Sequence, residues 1–257
     1  MYRELLEEFR LDWTLSGRAS STAHLYVTQL ADLLGAVAEP TLADAKLWIS
    51  QTTSTSVRRK RGQAMRAFGR WCADNGIDGW AWTENVPLVQ EAATPQPTVV
   101  ESDYKAALAR CKTPRDRAVI ELLWSCGLRR GELAALQTDD VNLSGGYIVV
   151  RRSKTGKPRV VPLAPSATRS LRMLMRNSTS GSLLGMTSNA IRLLLIRLDA
   201  PSAHAWRRGW AVRALRVGVS EASLRVAAGW SSGAMVGRYT KTLSSELAIE
   251  EFSRCWK

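Results

Sequence analysis

Apolar positions recur at helical spacing along most of the chain, and one short stretch breaks the rhythm. Tyr2–Leu15, Ser20–Leu34, Leu42–Gln51 and Ser54–Asn75 each carry a period near 3.6 residues and predict four helices. Apolar segments at Tyr104–Arg110, Ala118–Trp124 and Glu132–Leu136 repeat that period. Tyr147–Arg152 and Arg159–Leu163 are instead rich in β-branched residues, and the intervening SKTGKP offers Gly156 for a turn, so a hairpin is expected there. Helical spacing then returns. Leu243–Trp256 reads as a short amphipathic helix, with Ser244 or Ser245 as its cap and Ala248, Phe252, Cys255 and Trp256 on one stripe.

These elements predict a mainly α fold with a small β-hairpin or sheet, of the α+β class. The stretch Thr83–Pro97 holds three prolines and no sustained period, as a linker does. The expected organisation is a helical domain over 1–82, a linker over 83–97 and a second domain over 98–257.

Composition narrows the functional classes. No run of about 18 apolar residues is present, and the acidic, amphipathic start MYRELLEEFR is unlike a signal peptide, so no membrane partner is expected. Four scattered cysteines without a CxxC pair, and two histidines, argue against a structural zinc site and fit a reducing compartment. The net charge of +13 is unevenly spread. Residues 1–92 carry 10 Lys and Arg against 11 Asp and Glu, whereas residues 93–257 carry 26 against 12. The second part is therefore the candidate for binding a polyanion.

Within the first part, Arg58, Arg59, Lys60, Arg61, Arg66 and Arg70 gather on the fourth predicted helix. Val57, Ala64, Met65, Phe68, Trp71 and Cys72 form its apolar face. Phosphate contact along DNA is one reading of the basic residues, and a solvated helix face is the other.

Six residues suggest chemistry on a phosphodiester. Such bonds resist attack because charge builds on the nonbridging oxygens and the alkoxide leaves poorly. Fixed cations, a proton donor and a nucleophile answer those demands. Arg129, in CGLRRGEL, follows a helix-ending Gly127 and can meet two phosphate oxygens at once, with Glu132 one turn on to hold it and Arg130 as its rival. Lys154, in SKTGKPR, can reach a leaving oxygen, with Lys157 and Arg159 as alternatives. His204 and Arg207 stand three apart on one helix face in HAWRRGW. Trp230 follows Gly229 in AAGW, and its indole N–H can donate to a phosphate oxygen. Tyr239, in GRYTK, needs nearby cations or a base to attack at neutral pH. Taken singly, each has a bland alternative: a surface arginine, a solvated lysine, a core tryptophan, an ordinary helix tyrosine.

Taken together, their order and spacing resemble the tyrosine recombinase (phage integrase) family. The carriers are G-L-R-x-x-E at Arg129 and Glu132, the strand-loop lysine at Lys154, H-x-x-R at His204 and Arg207, Gly-Trp where most members have Gly-His, and a tyrosine nine residues past Trp230. Trp206 and Arg208 depart from the usual pattern, the first in place of an aliphatic residue and the second where histidine is frequent. The resemblance implies Tyr239 as nucleophile, Arg129 and Arg207 as phosphate clamps, Lys154 as general acid, His204 as proton manager, Trp230 as donor and Glu132 in support. It implies no metal, cofactor or ATP. It further implies a two-domain C-shaped clamp on double-stranded DNA carrying core-type sites, and a homotetramer on DNA that is monomeric or weakly associated without it. A 3′-phosphotyrosyl intermediate, a Holliday junction and a C-terminal helix docking on a neighbouring protomer belong to the same expectation. Because the chain enters its first helix almost at once, a minimal integrase without an arm-binding domain is expected, acting in the cytoplasm of a bacterial host at the nucleoid. An Xer-type resolvase, a type IB topoisomerase and an inactive DNA-binding protein remain the alternatives.

Overall fold

A computed structural model of the chain describes residues 2–90, 96–151, 158–176, 181–233, 236–237, 248–250 and 252–253. The chain divides into two compact units, Met1–Thr94 and Pro95–Lys257.

The first unit holds α1 (Tyr2–Leu15), α2 (Ser20–Ala36), α3 (Leu42–Ser50), α4 (Thr55–Asp74) and a 3₁₀ turn at Ala81–Asn85. Local chemistry sets the helix starts. Thr41 and Asp44 form a reciprocal capping box on α3, and the Ser54 side chain accepts from the Val57 N–H on α4. The core is aromatic. Phe68 meets Phe9 edge-on at 5.5 Å and Trp80 at 4.8 Å between ring centroids, arrangements that add to plain area burial. Gly69 on α4 leaves room for the turn: a Cβ there would lie 1.7 Å from Thr83 Oγ1. Thr83 and Val86, placed by the sequence at the head of a linker, are thus buried in this unit.

The second unit runs α5 (Glu101–Arg110), α6 (Pro114–Cys126), α7 (Arg130–Ala135), β1 (Val141–Asn142), β2 (Tyr147–Val150), β3 (Arg159–Pro162), α8 (Pro165–Met175), α9 (Ser188–Arg197), α10 (Ala203–Arg216) and α11 (Glu221–Ala228). Helix α6 is its spine. Thr113 caps it, Pro114 occupies the first turn where its missing N–H costs nothing, and Ala118, Val119, Ile120, Leu122 and Leu123 are fully buried. The sheet is antiparallel in the order β1-β2-β3, with Ile148 opposite Val161 and Val150 opposite Arg159. Among the described residues the fold is mainly α with one small sheet, the α+β class that the periodicity predicts. The hairpin strands are found where expected, and β1 adds a third strand.

The expected helix Leu243–Trp256 lies mostly outside the described residues. Ala248–Glu250 are helical, and Glu250 pairs with Arg216 at 3.4 Å. Among the described residues no helix is long and apolar enough to cross a membrane.

Candidate active site

Two left-handed turns and one buried arginine build the site. Helix α6 ends at Gly127, whose φ of +55° suits glycine. A Cβ there would also sit 2.3 Å from the Trp210 ring, so α10 packs directly on the turn. The chain reverses and enters α7 with Arg129 at the helix start. Glu132 fixes it twice, accepting from the Arg129 backbone N–H at 2.9 Å and from its Nη1 at 2.7 Å. Helix α11 ends the same way at Gly229, φ +64°, and Trp230 follows, buried at 6% exposure.

Arg207 on α10 joins the two turns. Its Nη1 donates to the Gly127 carbonyl at 2.6 Å and its Nη2 to the Ala228 carbonyl at 2.5 Å. The guanidinium lies 5.3 Å from the centre of the Trp230 ring and is almost wholly buried. Charged donors on backbone carbonyls are among the stronger neutral-acceptor hydrogen bonds, and here they set two sequence-distant turns beside each other. The side chain of Arg129, at 23% exposure, keeps a face toward solvent.

His204 lies one turn before Arg207 on α10, and its side chain is exposed. Partial burial first, then the charges of Arg208, Arg207, Arg129 and Arg130, hold its pKa below the ordinary histidine value, so the neutral imidazole is favoured. Burial pushes Glu132 toward a higher pKa, but hydrogen bonds from Arg159 and Arg129 outweigh it and hold the carboxyl below its usual range.

The structure thus gathers Arg129, Glu132, His204, Arg207 and Trp230. Lys154 and Tyr239 lie outside the described residues. Arg130, the rival to Arg129, turns away and donates to Ser188 Oγ at 2.8 Å. Trp206 is fully buried, donates its indole N–H to the Pro201 carbonyl at 3.0 Å and meets Trp124 edge-on. Arg208 donates to the Pro97 carbonyl at 2.7 Å. Both departures from the family pattern are therefore absorbed by packing and by the backbone.

Arg159, weighed in the sequence as a stand-in for Lys154, points inward instead. Its guanidinium grips both Glu132 oxygens, at 3.0 and 2.8 Å, and its Nε donates to the Ala227 carbonyl at 2.8 Å. A signal for this existed in the sequence: Arg159 shares strand parity with Val161 and Leu163, the buried side of β3.

The basic residues of α4 also separate. Arg58 donates to the Thr52 carbonyl, Arg66 to the Val86 carbonyl at 2.8 Å, and Arg61 to the Trp48 carbonyl while lying 4.7 Å over the Trp48 ring. Arg59 is half-buried, whereas Lys60 and Arg70 are exposed.

Comparisons with known proteins agree with this architecture. Residues 97–246 match the model of the phage integrase family. The tyrosine recombinase XerA of Pyrococcus horikoshii is 26% identical over 162 residues, covering 63% of this chain and 56% of that protein. Tyrosine recombinase XerD of Pseudomonas aeruginosa is 35% identical over 126 residues, 47% of this chain and 42% of its own length. The chain spans between 56% and 63% of the length of the first three curated relatives it matches. Among solved structures, a lambda integrase tetramer bound to a Holliday junction superposes with a TM-score of 0.77 at 14% identity, covering 93% of this chain and 76% of that one. A crystal structure of XerA recombinase covers 99% of this chain and 98% of its own, with a TM-score of 0.55 at 18% identity. With a shared fold and a family match that runs through α5 to α11 and takes in all six candidate positions, this chain belongs to the phage integrase family.

Proposed function

We propose that the chain is a site-specific DNA recombinase in which the helical domain over 1–82 holds a core-type site on double-stranded DNA and the domain over 98–257 cuts it. Tyr239 Oη attacks the scissile phosphorus and the bond to the 5′ oxygen breaks, leaving a 3′-phosphotyrosyl link and a 5′-hydroxyl. Lys154 gives its proton to the departing 5′ oxygen. Arg129 and Arg207 offset the charge that grows on the nonbridging oxygens, and the Trp230 indole N–H adds a donor. His204, whose pKa is lowered by burial first and then by the arginines around it, takes the tyrosine proton. The energy of the broken bond is kept in the adduct, so attack by a second strand's 5′-hydroxyl rejoins DNA without ATP. Four protomers on two duplexes, passing through a Holliday junction, complete the exchange, in the cytoplasm at the nucleoid.

The observation that carries this reading is the Arg207 bridge. One buried guanidinium draws the turn before Arg129 and the turn before Trp230 together, 80 and 21 residues away in sequence. A second reading, an Xer-type resolvase, is favoured by the Xer names of the curated relatives.

Covalent trapping tests both. The protein is incubated with host and phage DNA, denatured in detergent, and the DNA still attached is sequenced. Adducts at one recurrent sequence, lost in Tyr239→Phe, are expected. A site on the host chromosome would favour the resolvase, and one on a mobile element the integrase. Scattered adducts would point to a topoisomerase. An adduct formed by Tyr239→Phe would overturn the nucleophile assignment, and none from the wild type would overturn the recombinase reading.

A further inference from the structure

Around Glu132 two positive charges face one negative. Its side chain is 3% exposed, and each oxygen accepts twice: Oε1 from Arg129 Nη1 at 2.7 Å and Arg159 Nη1 at 3.0 Å, Oε2 from the Arg129 N–H at 2.9 Å and Arg159 Nη2 at 2.8 Å. Four donors fill the lone-pair directions of a carboxylate. The two arginines are not equivalent. Arg159 is 5% exposed and engages both oxygens side by side, whereas Arg129 is 23% exposed and offers a single guanidinium nitrogen.

A buried carboxylate is compensated by whatever cation it can reach. With Arg159 in place, that compensation is internal, and the charge of Arg129 is left for an incoming phosphate. Without Arg159, Glu132 and Arg129 become a neutral pair. The same guanidinium also braces the other side of the site. Its Nε holds the Ala227 carbonyl, and its Cδ lies 3.1 Å from where a Cβ on Gly229 would be, immediately before Trp230.

We propose that Arg159 is a positioning residue of the cleavage centre, acting through Glu132 to leave the charge of Arg129 uncompensated for the phosphate and through Ala227 to seat the Trp230 turn. This rests on the recombinase reading above. It sets Arg159 apart from Arg129, whose more exposed guanidinium is the one proposed to meet the phosphate.

The test uses the full chain and a DNA duplex recovered by trapping from a pool of random-sequence nicked duplexes, and follows the rate of covalent adduct formation. Arg159→Met is expected to cut about 10²-fold more slowly than the wild type, the scale of losing one preorganised phosphate donor. Adding Glu132→Gln to it removes the carboxylate that captures Arg129, and is expected to recover at least about tenfold, a coupling typical of residues in one network. A merely structural Arg159 would leave the double variant no faster than the single one. That result, or Arg159→Met cutting at the wild-type rate, overturns the inference. If Arg159→Met does not fold, Arg159→Lys carries the test: it keeps the charge and is expected to stay within about tenfold of the wild type, consistent with losing only the two-toothed geometry. A loss as complete as that of Tyr239→Phe would overturn the inference. An absent wild-type adduct overturns the recombinase reading and this inference with it, whereas a wild-type adduct matched by Arg159→Met overturns this inference alone.

Discussion

Both units turn arginines inward, and they do so to different ends. On α4, Arg58, Arg61 and Arg66 each finish on a backbone carbonyl, and the acid nearest Arg61 is Asp32, 3.3 Å away with a 60% exposed side chain. In the second unit, Arg159 and Arg207 also hold carbonyls, but they surround a third arginine, and Arg159 shares one buried carboxylate with it. The first arrangement fastens α4 to α3 and to the segments flanking it. The second fastens turns and leaves positive charge over. A run of basic residues therefore has no fixed meaning until the acceptor of each guanidinium is known.

The contrast is broken most directly at Arg129. Arg129→Ala should lower the single-turnover cleavage rate by about 10²–10³-fold while the thermal midpoint stays close to that of the wild type, because Arg159 still satisfies Glu132. Cleavage at full rate would remove Arg129 from the site. Arg61→Ala should do the opposite, losing about 1–3 kcal/mol in urea unfolding with the cleavage rate of the folded protein unchanged. An equal loss of cleavage would mean that α4 reaches the chemistry.

A smaller effect sharpens the division within α4 itself. Replacing Arg59, Lys60 or Arg70 by alanine should flatten the salt dependence of DNA affinity, by about 0.9 in the log–log slope for each phosphate no longer neutralised. Arg58, Arg61 and Arg66, already engaged by carbonyls, should leave that slope unchanged when replaced. The smallest effect concerns His204. Its folded pKa is depressed, so whatever stability this group contributes is present above the unfolded value and lost as pH falls through the folded one. By NMR its imidazole should titrate below the ordinary histidine value, and Arg208→Gln should move the midpoint upward. An unmoved midpoint would mean that the cations around it do not set its state.

How much of this could be read from the chain depends on the range of the interaction. Helices α1 to α4, the two hairpin strands and the arginine boxes announce themselves through local spacing, because period and capping are properties of neighbours. The turn at Ala81–Asn85 does not, since its reason lies on another helix, where Gly69 makes room for Thr83. Prolines nearby give the segment the look of a tether. The inward direction of Arg159 is legible in strand parity with Val161 and Leu163. Its value to the site is not, because Glu132 lies 27 residues away. Trp206 reads as an oddity in a motif, and packing against Trp124 makes it an ordinary core residue. Motif spacing finds the residues proposed to meet the phosphate and names Arg159 among them, but misses its proposed role in holding Arg129.

On the recombinase reading, the Arg207 bridge also bears on when in its folding the chain becomes able to act on DNA. Its partners at Gly127 and Ala228 are translated about 80 residues before it and about 20 after it, as the separations of the two bonds require. Contacts of such long sequence separation require loop closure before they are made, which slows their formation. A nascent or partly unfolded chain therefore carries Arg129 without the frame that turns it toward a phosphate. On the recombinase reading, cutting awaits these long-range contacts, and the intermediates of synthesis and refolding are expected to leave DNA unnicked.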